Sequence, residues 1–340
     1  MTGDDGPGVA SSGSGGGTGS GSGGSSGGAS TSGGGNGGGS SSGGGGSSSG
    51  SSGAADAGLG WTSGPADGGC GQTLPALSDY SKMGPFATTI QTTTGGPDGG
   101  YTVVQPMTLG QNGFKHPVAT WGNGITTTPT TYTSGNPALL QMIASHGIVV
   151  IASNSSSVTS ADMVGGLDWM VAQNAASGPY QGKLDTKCLV SIGYSLGGGA
   201  AVATGAHADV VTTVAFHPVN NTPALHGPLL LWTSTTDTVN TPAVMVTPIF
   251  NASTVQTFYG TVTAAGDPKN EGHLLPASEL NLLDPVDPEY APTMAWLRMW
   301  LYGDQGGRSY FWGTGALACQ NPNWQCQTKN PPGAAQMSGF

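Results

Sequence analysis

The sequence predicts an α/β fold, a mostly parallel central sheet with helices on both faces. Two observations predict it. Beyond residue 85, short apolar runs with strand character alternate with stretches of helical spacing, the order that crossover-connected parallel strands require. One of those runs, Ile148-Val149-Val150-Ile151-Ala152, is apolar throughout, as a strand covered on both faces must be.

The elements follow in order. Residues 61–85 are a transition into the first dense hydrophobic pattern, which begins at Pro85-Phe86. Residues 101–105 and 117–120 read as strands, the second running into a loop, Trp121-Gly122-Asn123-Gly124. Residues 136–145 have helical spacing through Leu139, Leu140 and Ile143 and stop at Gly147. After the buried run come a helix over 161–175 (Met163, Leu167, Met170, Val171), a short strand over 189–192 and a small-residue helix over 196–204. Strand patterns recur at 210–216 and 228–232, with a helix near 243–250 and a last one over 290–302.

Upstream of this pattern the chain is dense in glycine and serine and nearly empty of large apolar side chains. Such a stretch cannot bury enough surface to offset the entropy of ordering. The expectation is therefore a disordered leader or tether over 1–69 and one folded domain over 70–340. Eight Lys plus Arg stand against eighteen Asp plus Glu, a net charge of −10. A nucleic-acid partner would call for a basic patch, and the composition offers none. Sparse charge with abundant Thr, Ser, Asn and Gly suggests an exported or cell-surface protein.

Cys319 and Cys326 are close enough in sequence for a local disulfide, favoured in an oxidising compartment. Cys70 and Cys188 form a second candidate pair, which sequence alone leaves open. No cysteine or histidine cluster has metal-ligand spacing. The N-terminus, Met1-Thr2-Gly3-Asp4-Asp5, lacks a basic-then-apolar signal and reads as an export signal replaced by a start methionine. A Gly/Ser leader would suit a lipid-anchored membrane tether.

Gly193-Tyr194-Ser195-Leu196-Gly197 matches the Gly-x-Ser-x-Gly pattern. The Gly/Ser tract reproduces that pattern by chance around Ser25 and Ser48, so context decides. Ser195 follows a strand and opens a glycine- and alanine-rich helix, the setting of a nucleophile elbow in an α/β-hydrolase. A serine hydroxyl needs a base, and in such proteins the order is Ser, Asp or Glu, His. His116, His146, His207, His217 and His226 precede the acid; His273 follows it, in the polar loop Asn270-Glu271-Gly272-His273. Asp237 comes after the strand at 228–232 and is the expected acid. Asp209 precedes its strand, while Asp267 and Glu271 share the histidine's loop. The oxyanion donors should be the N–H groups of Leu196 and of Asn123, with Gly122 the neighbouring alternative.

These residues together resemble the bacterial polyester hydrolases, the cutinase and poly(ethylene terephthalate) hydrolase family. The likeness runs from Gly84-Pro85-Phe86 through Ala144-Ser145-His146-Gly147, Gly182-Lys183-Leu184-Asp185 and the 193–199 elbow to Ala295-Trp296-Leu297-Arg298 and the C-terminal cysteine pair. The resemblance implies Ser195, Asp237 and His273 as a triad, and Asn123 and Leu196 as oxyanion donors. It also exposes departures. The family usually has an aromatic residue at the Asn123 position and a tryptophan where Phe216-His217-Pro218-Val219 puts Val219. An aromatic clamp is then missing or rebuilt from Trp121 or Tyr194, which with Val219 are the candidate substrate contacts. The segment 274–288 is longer than the resemblance leads one to expect. The reading is a monomeric, exported carboxylic-ester hydrolase with an ester or polyester substrate and neither metal nor cofactor. A lipase or carbohydrate-ester esterase, and a non-catalytic surface binding module on the same fold, are its rivals.

Overall fold

The computed structural model describes residues 70–330 except 94, 96–99, 135–137, 223, 281–287 and 313–315. The expected leader over 1–69, the start of the helix expected from 136 and most of the 274–288 segment's second half lie outside the described residues. Within them the strands are β1 (Thr88–Thr93), β2 (Tyr101–Pro106), β3 (His116–Gly122), β4 (Val149–Ser153), β5 (Leu184–Tyr194), β6 (Val210–Phe216), β7 (Leu229–Ser234), β8 (Thr257–Val262) and β9 (Trp324–Lys329). They form one sheet in the order β1-β2-β4-β3-β5-β6-β7-β8-β9. From β4 to β8 all neighbours are parallel, while β1, β2 and β9 add antiparallel.

The helices are α1 (Pro129–Thr133), α2 (Leu139–Ser145), α3 (Ser160–Ala175), α4 (Leu196–Thr204), α5 (Thr247–Ala252), α6 (Tyr290–Tyr302), α7 (Gln305–Phe311) and α8 (Leu317–Gln320). The buried run at β4 shows how they divide. Val150 and Ala152 belong to a core shared with α2 and α6, whereas Val149 and Ile151 belong to one shared with Leu167 and Met170 of α3. Alternate side chains of a strand leave on opposite faces, so a strand that serves two cores must be apolar at every position. α3 is started by a reciprocal cap: the Thr159 hydroxyl accepts from the Asp162 N–H, and the Asp162 carboxylate accepts from the Thr159 N–H.

β1, β8 and β9 extend the sheet beyond the sequence expectation. β1 (TTIQTT) and β9 (WQCQTK) are half-exposed edges without an apolar run. They are strands because their main chains pair with a neighbour, information that local composition does not carry. The helix over 290–302 is likewise not the last, since α7 and α8 follow it.

The disulfide is the long-range one. Cys70 and Cys188 are joined with Cα atoms 5.6 Å apart, clipping the start of the domain to β5 across 118 residues of sequence. The bridge expected between Cys319 and Cys326 is not formed: both are thiols, Cys319 exposed on α8 and Cys326 on β9. The two sulfurs are hydrogen-bonded, and burial, with that contact, pushes the Cys326 thiol up. Contact between two sulfurs is not a bridge, since a disulfide also needs a specific Cβ–S–S–Cβ geometry.

A buried ionic knot ties α6 to the chain before β1. Arg298 is fully enclosed; its Nε donates to Asp304 Oδ2 at 2.7 Å, and Nη2 donates to the Pro75 carbonyl. Tyr80 donates to Asp304 Oδ1 at 2.8 Å. His146 Nδ1 lies 3.5 Å from Arg298 Nη1.

Candidate active site

Ser195 and Asp237 follow the carboxyl ends of β5 and β7, where open α/β sheets place their ligands, and His273 comes from the segment after β8. The chain leaves β5 at Ser195 with φ 57° and ψ −117°, a conformation that costs a non-glycine residue roughly 1–3 kcal/mol and needs its surroundings to hold it. Crowding holds it here. A Cβ at Gly193 would lie 2.1 Å from the Gly197 carbonyl oxygen, and one at Gly197 would lie 2.1 Å from that of Gly122. The glycine spacing around Ser195 is thus a packing requirement of the turn.

The Ser195 hydroxyl sits 2.9 Å from His273 Nε2, and His273 Nδ1 sits 2.9 Å from Asp237 Oδ2. Asp237 lies on the turn after β7. Its other oxygen accepts the N–H groups of Val239 at 2.9 Å and Asn240 at 2.8 Å, which fixes the carboxylate plane. His273 opens a 3₁₀ segment, Gly272–Leu280. Asp267, weighed as a rival acid, shapes that loop instead: it accepts the N–H groups of Glu271 and Gly272 and the Thr236 hydroxyl. Asp209 pairs with Lys187 near the surface. Ser195 and His273 keep 6 % and 8 % of their surface exposed, against 3 % for Asp237, so the serine end of the line is the end that meets solvent.

Asn123 follows β3 directly. Its carbonyl accepts the Gly197 N–H at 3.0 Å, binding the loop after β3 to the turn that carries Leu196. Its side chain is fully engaged elsewhere, accepting from Trp121 Nε1 and donating to the Ser153 and Ser155 carbonyls. Asn123 therefore reaches the turn after Ser195 through its backbone carbonyl, while its side chain is committed to Trp121, Ser153 and Ser155.

The three residues expected to contact substrate fare differently. Trp121 is fully buried, packed against Tyr132 and Phe216, and braces Asn123; enclosed on all sides, it offers no face to a ligand. Tyr194 is also buried: its hydroxyl donates to the His273 carbonyl at 2.8 Å and its ring lies 5.2 Å from the imidazole, so it steadies the histidine rather than a substrate. Val219 is half-buried over Gly199 of α4, its N–H donating to the Ser195 carbonyl.

Sequence reasoning missed two residues, His217 and Glu289. His217 Nδ1 lies 2.8 Å from Asp237 Oδ2, the oxygen that His273 also uses, and His217 Nε2 lies 3.0 Å from Glu289 Oε1. His217 comes before the acid in sequence, and chain order alone therefore passes over it. Its position directly after β6, one strand over from Ser195, was the available signal. Burial pulls the His217 pKa down, but the Glu289 charge and the hydrogen bonds to Asp237 and Glu289 outweigh it and push it up to about 9. Burial raises Glu289, with His217 opposing. Burial would raise Asp237 too, yet its bonds to His217 and His273 hold it well below the usual carboxylate range. His217, Asp237 and His273 converge within 4.8 Å, close enough to suggest metal ligands. Both imidazoles, however, spend Nδ1 on the same Asp237 oxygen and Nε2 on another side chain, which is the geometry of a hydrogen-bond network.

Among curated proteins, none matches this chain. A family model described as PET hydrolase-like matches residues 79–271, more than half of the chain, including Ser195 and Asp237 and ending two residues before His273. With its mostly parallel sheet and elbow, the chain has the α/β-hydrolase fold and belongs to the PET hydrolase-like family.

Proposed function

We propose that this chain is an exported serine carboxylic-ester hydrolase that works through an acyl-enzyme. The observation that carries the reading is the unbroken line from Ser195 Oγ through His273 to Asp237, with both links at 2.9 Å. With Nδ1–H directed at Asp237, the Nε2 lone pair faces the serine. Ser195 Oγ attacks the ester carbonyl carbon as its proton passes to Nε2; the C–O bond to the alcohol then breaks and the alcohol leaves with that proton. Water, deprotonated by the same nitrogen, attacks the acyl carbon and releases the acid and the free serine. The Leu196 and Asn123 N–H groups stabilise the oxyanion, each by a few kcal/mol.

Exposed apolar side chains next in sequence to the site's residues favour an apolar, aliphatic substrate. Ile125, Val239 and Leu274 are 60 %, 65 % and 58 % exposed, each one or two residues beyond Asn123, Asp237 or His273. No aromatic ring is available from Trp121 or Tyr194, and Val219 is aliphatic, so aliphatic polyesters and short-chain esters should outrank aromatic ones. The Cys70–Cys188 bridge suits an oxidising compartment outside the cytoplasm. A monomer, with or without a lipid tether, needs nothing further.

The test is hydrolysis of p-nitrophenyl esters from acetate to laurate, and of aliphatic and aromatic polyester films, by the native chain and Ser195→Ala. Turnover lost in the variant, with a fluorophosphonate labelling only the native serine, is the expected result. A native chain inert to every ester and to the fluorophosphonate would overturn the reading in favour of a binding module.

A further inference from the structure

A catalytic aspartate needs one histidine, and here Asp237 holds two. We propose that His217, anchored by Glu289, is a positioning residue for ester hydrolysis: it locks the Asp237 carboxylate against His273 and sets how strongly that carboxylate supports the base. The inference rests on the ester-hydrolase reading and extends it to groups that touch neither substrate nor serine.

Four observations carry it. First, His273 Nδ1 and His217 Nδ1 share Asp237 Oδ2 at 2.9 and 2.8 Å, their rings perpendicular with centroids 5.7 Å apart. Oδ1 is meanwhile held by two backbone N–H groups, so the carboxylate cannot rotate away from either ring. Second, His217 is a non-glycine residue with φ 44°, and the structure maintains that conformation from both sides: its N–H donates to the Trp232 carbonyl at 2.8 Å, and its carbonyl accepts from Asn240 Nδ2 at 2.7 Å. Strain of this kind survives only where neighbours over-determine it. Third, Ser195 and His217 leave adjacent parallel strands from partnered positions, Tyr194 and Phe216. The strained nucleophile and the strained second histidine are therefore set by the same strand register. Fourth, His217 and Glu289 are both fully buried. A buried carboxylate needs a charged or donating partner, and Glu289 finds it in His217.

The charge pattern has a direction. From the serine inwards the groups read His273, Asp237, His217, Glu289, with the Tyr194 ring 6.4 Å from His217 and Asp267 acting on Glu289 from the loop before His273. A cation at His217 competes with His273 for the charge of the one Asp237 oxygen that both rings share. Glu289 is what keeps that cation in place against burial. Removing either member should make His273 more basic.

The test compares the native chain with His217→Asn, whose amide can still donate to Asp237 but carries no charge, and Glu289→Gln, nearly isosteric and therefore safe for folding. The His273 ring Hε1 is followed by NMR against pH, alongside the pH profile of kcat/KM on p-nitrophenyl butyrate. Both variants should raise the His273 titration midpoint and the acid limb by about one pH unit, the size of a single nearby charge. kcat at pH 7 should fall by a few-fold and by no more than about tenfold, with KM unchanged, and the double variant should be no worse than His217→Asn, because groups acting as a unit are not additive. A titration midpoint that stays put in both folded variants would overturn the proposal, even where activity drops. The NMR arm decides the coupling whether or not the native chain turns over esters, so failure of the ester reading would show separately, as an inert native chain.

Discussion

Two fully buried histidines in this molecule are shifted in opposite directions. His217 lies between Asp237 and Glu289 and is pushed up to about 9. His146 lies beside the Arg298 guanidinium and is pushed down to about 3, by burial first and then by that positive charge. Both have lost their water, so burial cannot explain the difference; the neighbours decide the sign. The two networks also differ in where they end. The one at the carboxyl edge of the sheet runs out through His273 to a serine that meets solvent. The one around Arg298 ends on Asp304, Tyr80 and the Pro75 carbonyl, all within the fold. Buried charge thus marks a working site only where one end of the chain of bonds is open to a ligand.

The comparison breaks most sharply at Asp237→Asn. That substitution removes the charge both imidazoles share and can leave His273 in the wrong tautomer, so kcat should fall about 10⁴-fold, with KM little changed. Substitutions in the Arg298 network should leave kcat per folded molecule intact. A kcat loss at Asp237 of less than tenfold would mean that the serine is not activated along this line of hydrogen bonds.

In the other network the loss should appear in stability. Arg298→Met leaves the Asp304 carboxylate without its cation in the interior, and breaking a buried pair by one partner costs about 3–5 kcal/mol. Urea denaturation would show the midpoint fall, while active-site titration with a fluorophosphonate would show the remaining folded molecules fully reactive. A lowered reactivity per folded molecule would show that the two networks are coupled after all.

How much of this contrast could be read from the sequence depends on range. The parallel core strands were legible because a strand serving two cores is apolar at every position, and Ser195 because the elbow's glycines flank it between a strand and a helix. Asp237 and His273 followed from chain order and lie within hydrogen-bond reach of one another. Glu289 was not legible: it sits in a polar stretch ahead of α6, and only the packing of that helix end brings it to His217, 72 residues away in sequence. Trp121 misled because an aromatic residue in a glycine-flanked loop after a strand looks like a ligand contact, and sequence does not say which way a side chain faces at the end of a strand. The cysteines show the same limit. Cys319 and Cys326 are near in sequence and not bridged, whereas Cys70 and Cys188 are remote in sequence and joined.

The opposite shifts predict a stability profile that falls at both ends of the pH range. His146, and His116 with a pKa pushed down to about 4 mainly by burial, stay neutral in the fold but take up protons below about 6.5 when unfolded. Between about 6.5 and 4 the unfolded state binds more protons, so stability falls as pH falls. His217 has the reverse sign: its contribution is full below about 6.5 and is lost as pH rises through about 9. The alkaline arm should amount to about 3 kcal/mol, and the acid arm, which two histidines share, to about twice that. Urea titrations at a series of pH values measure both, and Glu289→Gln should flatten the alkaline arm alone. An alkaline arm unchanged in that variant would place the titrating group somewhere other than His217.

The smallest expected effect concerns how firmly the open end of the site is held. Tyr194 spends its hydroxyl on the His273 carbonyl, and its ring packs beside the imidazole. Tyr194→Phe keeps the ring and deletes one hydrogen bond, worth about 1 kcal/mol and leaving a carbonyl that water can reach once the loop shifts. The line from Ser195 to Asp237 would survive, because Asp267 still holds the loop through the Glu271 and Gly272 N–H groups. kcat should therefore drop only a few-fold, with the pH profile unmoved, since no charge has changed. That flat profile separates a mechanical brace from His217, whose removal should move it. A shifted acid limb in Tyr194→Phe would mean that the histidine's basicity is set by its loop as much as by the charges behind Asp237.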